Sequence, residues 1–340
     1  MDLVELEEQA RQLLPQGVYD YFAGAAGDEL TLADNVAAWD RVRLRPRVLR
    51  DVSNVDTTTT ALGAPVASPI HVAPTAFHRM AHVEGEEATA RGAATAGNLF
   101  VLSTRSTASV EDVAAASGDG PRWYQVYVLR DRSRTEDQVK RAVAAGFRAL
   151  VLTGDTPYLG RRLRDVRNAF EIPANVGTAI AEASGTGIID QAADVTFDDI
   201  GWLLELSGLP VLVKGVLRGD DAQACIDAGA AGVIVSNHGG RQLDGAIASA
   251  DALAEVVDAV GDAGEVYVDG GVRRGIDVVR ALALGAQGVM VGRPVLWALA
   301  TDGADGVRRV LRALTHDLVL SMALCGAATI AEISRDLVAP

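Results

Sequence analysis

The chain is poor in cysteine and in lysine, and it lacks any long apolar run. Cys225 and Cys325 are the only cysteines among 340 residues, which excludes a disulfide framework and a CxxC metal site. No uninterrupted apolar run approaches the roughly 18 residues that a membrane-spanning helix needs. The first residues are acidic, where a secretory signal would be basic and then apolar, so we expect a cytoplasmic protein.

Positive charge is also scarce. The net charge of −14 argues against a nucleic-acid partner and against binding to an anionic membrane surface. It says little about a small substrate, because a basic pocket can lie inside an acidic protein. Lys140 and Lys214 are the only lysines, and Lys214 follows a short apolar run, so its role is of interest.

Short apolar runs alternate with segments of helical periodicity from about residue 69 to about residue 300. Eight such runs end in polar residues or glycine: 70–73, 99–102, 123–128, 149–152, 211–213, 233–235, 266–268 and 288–291. Regular alternation implies right-handed crossovers and a parallel sheet, and eight units favour a closed (β/α)8 TIM barrel over an open sheet. Length alone would suggest two domains, but a decorated barrel accommodates the whole chain, so we predict one domain over residues 1–340.

Three segments lie outside the repeat. We predict an N-terminal helical extension over residues 1–68, closing helices near 303–335, and an active-site loop over 156–197. The extension contains an aromatic cluster at 18–22. This cluster either packs as the apolar face of a helix or places a tyrosine hydroxyl in a pocket.

The stretch 233–245 joins the sixth apolar run to a polar segment. In α/β barrels the carboxyl ends of the strands carry the reactive groups. His238 can move a proton near neutral pH, and Arg241 can bind a carboxylate through its two-pronged guanidinium. The alternative is a core histidine that caps a turn.

Glycine-rich turns follow the seventh and eighth runs, at 269–275 and at 292–293. Such turns at this place in a barrel form a phosphate site, and Arg293 with either Arg273 or Arg274 would add charge. Ordinary turn glycines are the alternative.

Further cations cluster at the predicted active face. Lys214, His238 and Arg241 are joined there by the arginines of 161–167, although a solvated face explains the latter equally well. Buried cations need anionic partners, so a carboxylate substrate or an anionic cofactor is expected. Asp155 would orient and stabilise the histidine. We predict no metal site, since His78 and His82 lack a nearby carboxylate and look like surface or supporting residues.

The segment Ser236–Asp244, with the sequence SNHGGRQLD, resembles the signature of the FMN-dependent 2-hydroxy-acid oxidases and dehydrogenases, the family of glycolate oxidase and lactate oxidase. Similar blocks occur in family order along nearly the whole chain: 18–22, 73–76, 125–127, 152–157, 213–215, 269–275 and 292–294. The resemblance implies FMN as cofactor and a small (S)-2-hydroxy acid as substrate. It also implies a 2-oxo acid product, oxygen as acceptor with hydrogen peroxide formed, and a homotetramer.

The resemblance also implies residue roles. His238 would take the substrate's proton, and the other catalytic residues would be Asp155, Tyr127 and Lys214, with Lys214 against the N1/O2 side of the flavin. The substrate would be bound by Tyr21, Tyr127, Arg162 and Arg241. The cofactor would be contacted by Pro74, Thr75, Ala76, Ser103, Gln125, Thr153, Lys214, Ser236, Asp269, Gly270, Gly271, Arg273, Gly292 and Arg293. Whether the C2 hydrogen leaves as hydride or as proton does not follow from the residues.

One position departs from the family pattern. Glycolate oxidases carry tryptophan where this chain has Arg105, beside the substrate's side chain. Arg105 is therefore a substrate-binding candidate that either pairs with a second anionic or polar group or points to solvent. The run 160–168 resembles that of bacterial hydroxymandelate oxidases, which suggests mandelate-type aryl acids beside lactate as possible substrates.

Three other functions compete with an oxidase. A soluble dehydrogenase would use a quinone or a protein acceptor, and we favour an oxidase because no cytochrome domain or membrane segment is recognisable. A Schiff-base aldolase would use Lys214 on the same barrel. A non-catalytic flavin- or phosphate-binding barrel is the third, and the joint presence of His238, Arg241, Asp155 and Arg162 speaks against it.

Overall fold

The computed structural model describes residues 1–173, 176–177 and 190–340. The N-terminal segment forms three helices and a hairpin: α1 (Leu3–Leu13), α2 (Gln16–Ala23), α3 (Leu30–Arg41), β1 (Thr59–Ala61) and β2 (Ala64–Val66). The aromatic cluster predicted at 18–22 lies on α2, which ends before Gly24. The hairpin was not predicted, because its two short strands, TTA and APV, contain no apolar β-branched run.

In the described residues, eight parallel strands close into a barrel. These are β3 (Ile70–Val72), β4 (Phe100–Leu102), β5 (Arg122–Val126), β6 (Leu150–Thr153), β7 (Val211–Val216), β8 (Gly232–Val235), β9 (Glu265–Asp269) and β10 (Gly288–Val291). Their order around the barrel is their order in the sequence, and β10 pairs with β3. The predicted (β/α)8 barrel is confirmed.

The barrel strands are rich in β-branched and large apolar residues because both of their faces are buried. Alternate side chains fill the interior, among them Val101, Trp123, Ile234 and Tyr267. The hairpin lies across the amino-terminal end of the barrel, where the Leu62 amide donates to the Glu265 carboxylate at the start of β9. That end is closed, so the opposite end is left for a site.

Nine further helices surround the barrel in the described residues: α4 (Gly85–Ala96), α5 (Val110–Ser117), α6 (Arg132–Ala144), α7 (Leu163–Arg167), α8 (Asp198–Ser207), α9 (Gly219–Asp227), α10 (Ser249–Val260), α11 (Gly275–Ala283) and α12 (Arg293–Cys325). Helix α12 is kinked at Asp302 and Gly303, whose backbone angles are not helical, so its second part begins next to the predicted 303. The predicted loop 156–197 contains α7, and its residues 174–175 and 178–189 lie outside the described residues. Within the described ranges, no helix is long and apolar enough to cross a membrane.

Helix α3 fixes the loops at the carboxyl-terminal end of the barrel. Asn35 and Asn237 exchange side-chain amide hydrogen bonds of 2.8 and 2.7 Å, and the Trp39 indole donates to the Gly270 carbonyl at 2.9 Å. Gly271 has a φ of +76°, and a Cβ there would lie 1.8 Å from the Asn35 carbonyl oxygen. Only glycine allows this approach, which holds the loop after β9 against α3.

Candidate active site

A cavity opens at the carboxyl-terminal end of the barrel and encloses about 1040 Å³, counting its mouth. All eight barrel strands, or the loops that follow them, contribute to its wall, together with α2 and α12. The size is that of a small-molecule or cofactor site. A cavity of this size therefore lies at the predicted active face.

Most of the predicted site residues line this cavity. They are Tyr21, Pro74, Thr75, Ala76, Ser103, Arg105, Tyr127, Arg162, Lys214, His238, Arg241, Asp269, Gly270, Gly271, Arg273, Gly292 and Arg293.

Four predicted residues, Gln125, Thr153, Asp155 and Ser236, are not in the cavity wall but behind it. The Gln125 amide donates to the Thr153 hydroxyl at 2.8 Å and accepts from the Ser103 hydroxyl at 3.2 Å. Ser236 accepts from the Lys214 ammonium at 2.7 Å. These polar side chains bond to one another and to wall residues, so they can position the wall without touching a ligand.

The sequence analysis missed several wall residues: Phe22, Ala73, Leu159, Gly239, Gln242, Val272, Met290, Val291 and Leu296. Gln242 could have been found, because it belongs to the signature segment. Its amide donates to the carbonyls of Asp155 and Tyr158 at 2.7 and 2.8 Å. It thus ties the loop after β6 to the loop after β8.

His238 is held between Asp155 and Tyr127. Its Nδ1 lies 3.0 Å from Asp155 Oδ1, and its Nε2 lies 3.4 Å from the Tyr127 hydroxyl. Burial raises the pKa of Asp155, but the interaction with His238, which includes its hydrogen bond, and the charge of Lys214 outweigh burial and hold the pKa below its usual value. Since an ionised carboxylate only accepts hydrogen bonds, Nδ1 carries the proton, and Nε2 is left free to accept one. This arrangement suits a general base.

Two guanidinium groups lie over the ring of Tyr21. Those of Arg241 and Arg162 are 5.0 and 5.2 Å from the ring centroid. Arg241 is held by the carbonyls of Tyr21 and Gly24 at 2.6 and 2.9 Å, and Arg162 pairs with Asp165 at 2.6 Å. Burial and the charge of Arg162 lower the pKa of Arg241. These two neighbouring cations have a single carboxylate partner, Asp165, which pairs with Arg162. The site can therefore accept a second anion.

Lys214 is buried and ion-paired. Its ammonium lies 2.9 Å from Asp269 Oδ2. Burial lowers the pKa of Lys214, but Asp269 and Asp155 outweigh burial and raise the pKa above its usual value. The side chain is therefore charged at neutral pH, which opposes the neutral amine that a Schiff-base aldolase needs.

A second cationic region lies where β9 and β10 end. Arg293 donates to the carbonyls of Phe22, Gly24 and Gly239 at 3.0 to 3.1 Å. Burial, together with the charges of Arg241 and Arg273, lowers the pKa of Arg293 to about 9. Within the described part of the chain, no carboxylate lies within 4.0 Å of Arg293 or Arg273. Beside them α12 begins at Arg293 with no side-chain cap, but Pro294 has no N–H and the amides of Val295 and Leu296 donate to the Gly292 carbonyl. The two guanidinium groups are therefore the main donors that this region offers to an anion.

The neighbouring Arg274 is excluded from this region. It pairs with Asp277 and Asp40 at 2.9 and 2.6 Å and is half exposed. The choice between Arg273 and Arg274, left open by the sequence, therefore falls on Arg273.

The interpretation of His78 as a surface or supporting residue without a nearby carboxylate was wrong in part. The side chain is fully buried, and the His78 amide donates to Glu86 at 3.0 Å. Its ring bonds to Thr75 and Thr89, so it supports the cavity wall at Thr75. No group of His, Cys, Asp or Glu in the described residues could hold a metal ion.

Comparison with known proteins identifies this arrangement. Residues 10–340 match the family model of the FMN-dependent dehydrogenases. The chain belongs to this family. It is 48% identical to the L-lactate oxidase of Nostoc sp. over 98% of this chain and 96% of that protein, and 49% identical to glycolate oxidase 1 of Zea mays over 98% and 94%. The structure of a mandelate oxidase with (S)-4-hydroxymandelic acid aligns with a TM-score of 0.93 at 42% identity, covering 99% of this chain and 98% of that one. The predicted family and the predicted cofactor, FMN, are confirmed.

The cavity fits FMN chemically. Its phosphate needs cationic hydrogen-bond donors, which Arg273 and Arg293 supply. Its ribityl chain carries hydroxyl donors, and Asp269 Oδ1 is a buried acceptor without a hydrogen-bond partner in the described residues. An unpartnered buried carboxylate oxygen is costly, so a ligand donor is expected there.

Proposed function

We propose that this protein oxidises a small (S)-2-hydroxy acid to the 2-oxo acid with FMN, and that oxygen is reduced to hydrogen peroxide. The substrate loses two electrons and two protons, and oxygen takes up these two electrons and two protons to form hydrogen peroxide. One observation carries the proposal. A single cavity contains His238, placed as a base beside Tyr127, and two guanidinium groups beside Tyr21 that can bind an anion.

The residues divide the work as follows. Arg241, with Arg162 and the Tyr21 hydroxyl, binds the substrate carboxylate and fixes its orientation. His238 Nε2 accepts the proton of the 2-hydroxyl group, and Asp155 stabilises the imidazolium that forms. Burial raises the pKa of Tyr127, so its phenol stays protonated and donates a hydrogen bond beside the reacting carbon. Bound FMN supplies the two-electron acceptor.

The chain's other residues hold the cofactor. Lys214 places its ammonium group in the cavity wall, paired with Asp269, where its positive charge would stabilise negative charge on a bound flavin. Pro74, Thr75, Ala76 and Ser103 form the wall beside it, and Gln125, Thr153 and Ser236 keep the wall residues in position. A quinone or protein acceptor in place of oxygen is the alternative that the site itself does not distinguish.

Relatives of nearly equal identity are named for different acids, so their names do not choose among lactate, glycolate and mandelate. Steady-state peroxide formation with lactate, glycolate, mandelate and 4-hydroxymandelate tests the proposal. We expect one mole of peroxide for each mole of 2-oxo acid with at least one of them. Turnover only with an added quinone would make the protein a dehydrogenase.

Replacing Arg273 by glutamine is expected to weaken FMN binding by about ten- to a hundredfold, the value of one charge-assisted hydrogen bond. The Kd is measured by quenching of FMN fluorescence on addition to the apoprotein. Arg274→Gln is the matched control, because it removes the same charge from the next position, where Asp277 and Asp40 bind it. An equal loss of affinity in both variants would contradict the phosphate assignment.

Replacing Asp155 by asparagine is expected to lower kcat by about 10²-fold or more, because the amide cannot stabilise the imidazolium.

The pKa of the Asp155 carboxylate is lowered in the folded protein, so its contribution to stability is present above the unfolded pKa and is lost as the pH falls through the folded value. The difference in Tm between wild type and variant should therefore shrink in acid. A Tm difference independent of pH would show that the ionised carboxylate is not involved.

We further propose that the chain is a single domain over residues 1–340, that it assembles as a homotetramer, and that it resides in the cytoplasm.

A further inference from the structure

Arg105 is a cation of the cavity wall that the function described so far does not use. It follows β4, and its guanidinium lies 5.4 Å from the centroid of the Tyr127 ring. One end of the guanidinium donates to the side-chain oxygen of Gln191, whose amide in turn donates to Thr156 at 3.2 Å. The Arg105 Nε is buried and has no hydrogen-bond partner in the described residues.

The other cations of the cavity have anions. Lys214 pairs with Asp269, His238 with Asp155, and Arg162 with Asp165. The cofactor phosphate would neutralise the charge of Arg273 and Arg293, and the substrate's own carboxylate would neutralise that of Arg241. Arg105 is left with a neutral amide and an aromatic ring, and no carboxylate of the described residues lies within 4.0 Å of it.

Arg105 is also placed apart from the guanidinium pair. Arg162 and Arg241 contact the ring of Tyr21, whereas Arg105 contacts the ring of Tyr127, whose hydroxyl lies 3.4 Å from His238 Nε2. A substrate with its carboxylate on Arg241 and its hydroxyl on His238 has one group left to place, the side chain on C2. Because Arg105 contacts Tyr127 and the carboxylate is bound by the guanidinium groups at Tyr21, the side chain on C2 is the group left to reach Arg105.

We propose that Arg105 binds a second carboxylate at the far end of that side chain, so that the preferred substrates are 2-hydroxydicarboxylic acids. This inference rests on the proposed oxidation of 2-hydroxy acids. Gln191 and Tyr127 hold the guanidinium in place before the substrate arrives, which lowers the entropy cost of binding. A carboxylate would satisfy the free Nε and form a charge-assisted bond in a partly buried site.

The substrates for the test are 2-hydroxyglutarate and its 5-amide, which have the same shape and differ in the distal charge. In wild type, kcat/KM for the acid should exceed that for the amide by about ten- to a hundredfold, as a charge-assisted hydrogen bond provides. Arg105→Gln should abolish this preference, and Arg105→Lys should keep part of it. Arg335→Gln, which removes a half-exposed charge paired with Asp258 outside the cavity, should leave it unchanged.

A binding measurement separates recognition from chemistry. Titration calorimetry of 2-oxoglutarate into the oxidised holoenzyme should show a similar loss of affinity in Arg105→Gln and none in Arg335→Gln. If wild type prefers the amide, or if Arg105→Gln keeps the preference for the acid, the inference is wrong. If lactate or mandelate reduces the flavin and 2-hydroxyglutarate does not, the inference fails while the proposed function stands. If no 2-hydroxy acid reduces it, the proposed function itself fails.

Discussion

His238→Ala is expected to slow the reduction of bound flavin by a 2-hydroxy acid by about 10²- to 10⁴-fold, the usual contribution of a general base. The reason is geometric. The Nδ1–H group of His238 donates to the Asp155 carboxylate, so Nε2 is the acceptor that faces the cavity beside the Tyr127 hydroxyl. Alanine leaves no group at that point to take the proton of the substrate's hydroxyl.

Anaerobic stopped-flow measurement of flavin absorbance gives the rate of this step, and the absorbance of the purified variant gives its FMN content. His316→Ala is the control, since it removes an exposed histidine from α12. FMN content should be unchanged in both variants, because no described hydrogen bond joins His238 to Arg273, Arg293 or Asp269. Loss of FMN from the His238 variant, or an unchanged rate, would show that the role of the histidine is misassigned.

Arg241→Lys is expected to raise KM and to lower kcat/KM by about ten- to a hundredfold, with a smaller change in kcat. The Arg241 guanidinium bonds to the carbonyls of Tyr21 and Gly24 through one nitrogen and presents its remaining donors to the cavity. An ammonium group cannot bind the backbone of α2 and also form a two-pronged contact with a carboxylate.

Steady-state kinetics of this variant should be compared with those of Arg161→Lys, an exposed arginine next to Arg162 that makes no described side-chain hydrogen bond. The control should retain wild-type KM. A loss confined to kcat in Arg241→Lys, with KM unchanged, would mean that the residue does not bind the substrate's carboxylate.

The barrel could be predicted because its strands are short, β-branched and regularly spaced, and because each ends in residues unsuited to continue it. Because the carboxyl ends of the strands of a barrel lie at one face, Lys214, His238 and Asp269 could be placed together from the sequence. The phosphate region followed from two glycine-rich turns. These features are local in the sequence, and local patterns are what sequence analysis detects.

Contacts between distant segments could not be predicted. The exchange of amide hydrogen bonds between Asn35 and Asn237 joins residues 202 positions apart, and no local pattern marks Asn35 as the partner of Asn237. The same holds for the choice of Arg273 over Arg274, which depends on Asp40 in α3. Gln125, Thr153 and Ser236 lie at or next to the carboxyl ends of their strands, but hydrogen bonds to neighbouring side chains hold them behind the cavity wall.

The account is tested most directly by mixing the purified holoenzyme with a saturating 2-hydroxy acid in the absence of oxygen. We predict that the flavin absorbance bleaches in one turnover, with one mole of 2-oxo acid formed for each mole of FMN, and that admitting air restores the absorbance and yields one mole of hydrogen peroxide. A flavin that no 2-hydroxy acid bleaches would contradict the proposed chemistry.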